Sequence, residues 1–110
     1  MSGISLPTPV RRVVDAINAA DTEAFVAAFT ADGFVDDWGR VLRGPSGVRS
    51  WADTDAIGAG ATMDVSEART DGDVTELRFT WTSRVFTGDS TAFITVADDL
   101  VASFTIPPHA

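Results

Sequence analysis

The stretch VTELRFTWTSRVF, residues 74–86, alternates apolar and polar side chains. Leu77, Phe79, Trp81 and Val85 fall on one side, and Glu76, Arg78, Thr80, Thr82 and Arg84 on the other. Successive side chains of an extended chain point to opposite faces, so residues 74–86 predict a strand with one buried face and one polar face. Asp71-Gly72-Asp73 before it and Thr87-Gly88-Asp89 after it read as turns. Residues 61–69 alternate more loosely, with Met63 and Val65 on one side, and residues 91–97 read as another strand. After a turn at Ala97-Asp98-Asp99, the last strand runs from Leu100 to Ile106, with Leu100, Ala102, Phe104 and Ile106 on one face. The second half of the chain is therefore a four-strand antiparallel meander that needs a cover on one face only.

The first half has the period of helices. Thr8 reads as a cap and Pro9 suits a first turn, after which Val10, Val13, Val14 and Ile17 recur at helical spacing. Asp21 reads as the cap of a short second helix that carries Phe25 and Phe29 on one face. Asp32-Gly33 ends it, and Phe34 to Asp37 reads as a short strand. A turn over residues 43–47 leads into a third helix started by Pro45, with Val48, Trp51, Ala52 and Asp55 along one face and glycines 58 and 60 at its end. The expectation is a single α+β domain over residues 1–110. Three N-terminal helices pack on one curved antiparallel sheet, mixed at the first short strand.

Composition narrows the chemistry. The 110 residues are 45% hydrophobic, enough for one core, and carry a formal charge of −8. That charge argues against a nucleic-acid partner and against an anionic membrane surface. There is no cysteine and no tyrosine, and the only histidine is His109. Thiol chemistry, Ser-His-Asp catalysis and Cys- or His-rich metal sites lack their materials, so no metal and no cofactor is expected. The glycines form no phosphate loop. No apolar run approaches the roughly 20 residues of a membrane span. MSGISLPTPV lacks the features of a signal peptide, so the expected location is cytoplasmic. Any acid–base chemistry must rest on Asp or Glu.

The segments VVDAINAADTEAFVAAFTADGFVDD, GPSGVRSW and TAFITVADDLVASFTI together resemble the NTF2-like superfamily, the cone-shaped fold of SnoaL-like proteins and ketosteroid isomerases. The resemblance spans nearly the whole chain. It implies a pocket for a small hydrophobic molecule, with isomerase, cyclase or hydrolase chemistry among the activities, or a non-catalytic binding or dimerisation module. In the isomerases a general-base Asp ends the first strand, and Asp37 matches it. The isomerases also use a Tyr and a protonated Asp as oxyanion donors. Those positions match Val13 and the neighbourhood of Thr91, so neither donor is present.

Asp36 and Asp37 are neighbours in a strand and cannot both face the interior. Alternation alone leaves the choice open, since Phe34 accompanies Asp36 and Val35 accompanies Asp37; the resemblance selects Asp37. Trp38, Trp51, Phe79 and Trp81 are the candidate pocket residues, although sheet or helix packing explains Trp51 and Trp81 as readily. Arg40 is the candidate partner of Asp37, either orienting and tuning it or simply fixing the loop by an ion pair. Asp53 and Asp55 lie at the unfavourable end of a helix dipole, at the cavity mouth or in solvent. The polar face with Glu76, Arg78 and Arg84 suits a homodimer through the outer face of the sheet.

Overall fold

The computed structural model describes residues 5–108. His109 lies outside the described residues. Helix α1 spans Thr8–Asn18 and buries Val10, Val13, Val14 and Ile17, the predicted stripe. Its cap position is Pro7 and no side chain caps it, so Thr8 is the first helical residue instead of the cap. Helix α2, Thr22–Ala27, is capped as expected: Asp21 Oδ1 accepts from the Ala24 N–H at 3.0 Å. Asn18 ties the end of α1 to the sheet. Its Nδ2 donates to the Met63 carbonyl at 2.9 Å, and its Oδ1 accepts from the Met63 N–H at 2.7 Å.

Phe29 opens a strand and is not part of the second helix. Strand β1 runs Phe29–Asp37, well before the predicted start at Phe34. Its register with the last strand shifts between Phe29 and Phe34. Gly33 sits in this irregular stretch, where an added Cβ would come within 3.0 Å of the Thr30 and Val101 carbonyl oxygens. Phe29 still meets Phe25, with ring centroids 5.1 Å apart, so the aromatic pair survives the change of element.

A strand absent from the sequence expectation follows. β2, Arg40–Arg43, pairs antiparallel with β1 across a two-residue turn, with Asp37 opposite Arg40. Both turn residues have positive φ, Trp38 at 56° and Gly39 at 91°, as a primed hairpin turn demands. Asp36 Oδ1 accepts from the Gly39 N–H at 2.9 Å and braces the turn. Helix α3, Gly44–Asp55, buries Val48, Trp51 and Ala52, and a short 3₁₀ turn at Ile57–Ala59 follows it.

The meander is present as β3 (Thr62–Asp71), β4 (Val74–Thr82), β5 (Thr87–Ala97) and β6 (Leu100–Ile106). The order across the six-stranded sheet is β2-β1-β6-β5-β4-β3, antiparallel except where β1 runs parallel to β6. Three helices on this mixed sheet make an α+β cone.

Two boundaries differ from the sequence reading. β4 stops at Thr82, not at residue 86, because Ser83 turns the chain. Its hydroxyl oxygen accepts from the Val85 and Phe86 N–H groups, and its own N–H donates to the Phe86 carbonyl. Thr87-Gly88-Asp89 then belongs to β5, and Val85 leaves the buried face. In β6 the pairing with β5 skips Ala102, which puts Val101 with Phe104 and Ile106 on the buried face in place of Leu100 and Ala102. The core lies between the helices and the inner face of the sheet, centred on Trp51, Phe25, Phe104, Leu77 and Ile94.

Candidate functional site

Alternation along β1, which left two options in the sequence, has one outcome in the fold. Val35 is fully buried, so Asp37, two residues on, shares its inward face. Phe34 and Asp36 take the outer side, where the Arg43 guanidinium sits 4.6 Å over the Phe34 ring. The two adjacent acids thus divide: Asp36 holds a turn, and Asp37 faces a cavity of about 510 Å³. That volume is within the range that encloses a small molecule.

The cavity opens between β1, α3, β4 and the start of β5. Trp51, Phe79, Trp81 and Ile106 form its apolar wall, and Asp37, Thr54, Asp55 and Ser90 are its polar lining. Trp51 and Trp81 have centroids 6.0 Å apart, and Phe79 meets Trp81 edge-on at 6.2 Å. The mouth is rimmed by exposed apolar groups from two hairpins. Trp38 comes from the β1–β2 turn (55% exposed), and Val85 and Phe86 from the β4–β5 turn (70% and 52%).

Asp37 is held by two partners. The Trp51 indole N–H donates to its Oδ2 at 3.1 Å, and the Arg40 guanidinium lies 3.7 Å from the same oxygen. Arg40 also forms a close ion pair with Asp55, whose other oxygen accepts from the Thr54 hydroxyl at 2.8 Å. One guanidinium therefore bridges two carboxylates, one from the β1–β2 hairpin and one from the end of α3. The Asp37 side chain keeps 25% of its exposure, so it remains open to solvent or to a ligand.

The expected residues Asp37, Trp38, Trp51, Phe79 and Trp81 all line the cavity, and Arg40 stands behind Asp37. Asp55 lines the mouth, while Asp53 is exposed. Thr91 lies opposite Arg78 in the β4–β5 pairing, away from the inward row of Ser90, Ala92 and Ile94. Ser90 is thus the cavity residue of this strand. Val13 is fully buried in the core and is not among the cavity residues. Phe86 and Thr54 had no signal in the sequence beyond their neighbours, and Val85 was read as part of the buried strand face.

No family model matches the sequence, and no curated protein matches it. Solved structures do match. A candidate polyketide cyclase from Sinorhizobium meliloti is 26% identical, with a TM-score of 0.81 over 92% of this chain and 94% of its own. A Mycobacterium tuberculosis protein in complex with estradiol-17β-hemisuccinate is 16% identical, with a TM-score of 0.81 over 96% and 95%. A computationally designed 17-OHP binder is 15% identical, with a TM-score of 0.82 over 94% and 91%. The fold is that of the NTF2-like superfamily, shared by SnoaL-like and ketosteroid isomerase-like proteins.

Proposed function

We propose that this protein binds a small hydrophobic molecule in the cavity and moves a proton on it with Asp37. The observation that carries the reading is a carboxylate at the edge of an otherwise aromatic cavity of about 510 Å³, gripped on one oxygen by an indole N–H. In such a site Asp37 takes a proton from carbon next to a carbonyl. The C–H electron pair forms the C=C bond of an enolate as the carbonyl π pair moves to oxygen. Return of the proton at a second carbon completes an isomerisation; attack of the enolate carbon on a second carbonyl, with Asp37 returning its proton to the alkoxide formed, completes a cyclisation. The estradiol-17β-hemisuccinate complex of one similar structure supports a polycyclic apolar substrate.

The test is hydrogen–deuterium exchange at the α-carbon of a polycyclic β,γ-unsaturated ketone in D₂O. Wild type accelerates the exchange, and Asp37→Asn loses at least about a hundredfold of that acceleration. Binding of the ketone is retained in the variant. Equal exchange with both proteins sinks the catalytic reading.

A binding role without turnover is the second reading. By the resemblance, the isomerases' tyrosine donor corresponds to Val13, and no tyrosine exists in the chain. Loss of one oxyanion donor alone removes about 3 kcal/mol of transition-state stabilisation. Tight ketone binding with no exchange above buffer favours this second role.

The outer sheet face is proposed as a homodimer surface. Across β3 and β4, Glu67 stands opposite Arg78 and Arg69 opposite Glu76, and Phe93 beside them is 37% exposed. A face with both signs interleaved can match a second copy of itself across a two-fold axis.

A further inference from the structure

The charge of the cavity limits which hydrophobic molecules enter it. This inference rests on the reading that the cavity takes a ligand, and it names the ligand's class. Asp37 and Asp55 both line the cavity, and no Lys or Arg is among the described residues that do. Arg40, the cation paired with both acids, is already engaged by Asp55 and sits 3.7 Å from Asp37. An incoming anion would have to displace one carboxylate and face the other. Aromatic faces carry a negative quadrupole and attract cations. Here Trp38, Trp51, Phe79, Trp81 and Phe86 line the same cavity as the two acids. The chain's formal charge of −8 biases the approach of charged ligands in the same direction.

We propose that the cavity selects a hydrophobic amine, protonated at neutral pH. Its apolar body lies against Trp51, Phe79 and Trp81. Its ammonium lies at the Asp55 end, between that carboxylate and the aromatic rim. The uncharged analogue gains the apolar contacts only, and the anionic analogue meets carboxylates and ring faces of the wrong sign. A cationic nitrogen near the reacting carbonyl also withdraws electrons from the C–H bond that Asp37 would break.

The test is calorimetric titration at pH 7 with three matched probes: 2-naphthylmethylamine, 2-naphthylmethanol and 2-naphthoate. The amine binds about tenfold or more tightly than the alcohol, and the acid binds weakest. In Asp55→Asn the amine falls to within about twofold of the alcohol. A cooperative thermal melt shows that the variant is folded. Equal affinity for amine and alcohol, tighter binding of the acid, or an amine preference that survives both Asp55→Asn and Asp37→Asn overturns the inference and leaves the cavity reading standing. Binding of none of the three probes overturns the cavity reading, and the inference with it.

Discussion

The indole N–H of Trp51 reaches Asp37 Oδ2 across 3.1 Å, joining the middle of α3 to the last residue of β1. The same indole packs on Phe25 at 5.7 Å and Phe104 at 5.6 Å, so the residue that orients the candidate acid is also a centre of the core. Position and stability are therefore coupled. Trp51→Phe removes the donor and leaves a void; it is expected to cost about 1–3 kcal/mol in urea denaturation, with the m-value unchanged. Ligand affinity falls with it, because Trp51 is part of the cavity's apolar wall.

Arg40 is half-exposed, and its two ion pairs sit at the surface of the cavity mouth. Such pairs contribute little to folding, so Arg40→Ala changes stability by less than about 1 kcal/mol. Its effect belongs to the ligand: without the guanidinium, Asp37 and Asp55 stand uncompensated, and selection of a cationic over a neutral probe increases. Calorimetry with the naphthyl amine and alcohol reads both numbers.

Away from the site, Arg49 of α3 holds Glu23 of α2 through two hydrogen bonds, at 2.6 and 3.0 Å. The hydrogen bond and the charge of Arg49 lower the Glu23 carboxyl below its ordinary value of 4.5, and the same contact raises Arg49. The unfolded chain then binds the proton more readily than the folded one. The stabilisation is present above pH 4.5 and is lost as pH falls through the lower folded value. Thermal melts of wild type and Glu23→Gln should differ at pH 7 and converge as pH falls through the lowered folded value.

Gly58 follows α3, and an added Cβ there would lie 1.5 Å from the Asp53 carbonyl oxygen. The obstacle is backbone, so Gly58→Ala must move the end of α3, where Thr54 and Asp55 line the cavity. A loss of about 1–3 kcal/mol is expected, together with weaker probe binding. Unchanged melting and binding would show that this connection is softer than its packing implies.

The outer face makes its own prediction. Sedimentation at micromolar concentration should show a dimer for wild type and a monomer for Arg78→Glu, since reversing one charge of an isologous face places like charges opposite each other. A monomeric wild type removes the dimer proposal and leaves the cavity untouched.

Much of this arrangement was legible in the sequence, and the misses have physical causes. The stripe Val10, Val13, Val14 and Ile17 and the row Leu77, Phe79 and Trp81 were readable because burial imposes one period over many residues. The strand end at Thr82 was not, because Val85 keeps the alternation while the Ser83 hydroxyl turns the chain beneath it. Ala102 in β6 shifts the face by one, and a bulge leaves no mark on composition. In the site, Asp37 was found by a resemblance and not by its period. The sequence left Asp55 at the cavity mouth or in solvent, and Ser90 became a cavity residue only in the folded sheet, through a relation between segments far apart in the chain.

The most direct test of the central claim is a titration of the tryptophan indole N–H signals in a ¹H–¹⁵N spectrum, with naphthylmethanol as the ligand. Trp51→Phe and Trp81→Phe assign the signals. A ligand seated against Asp37 moves the Trp51 and Trp81 signals together and saturably, and Asp37→Asn shifts the Trp51 signal before any ligand is added. If the Trp51 and Trp81 signals stay fixed up to millimolar ligand, the cavity does not receive a hydrophobic molecule and the account is wrong.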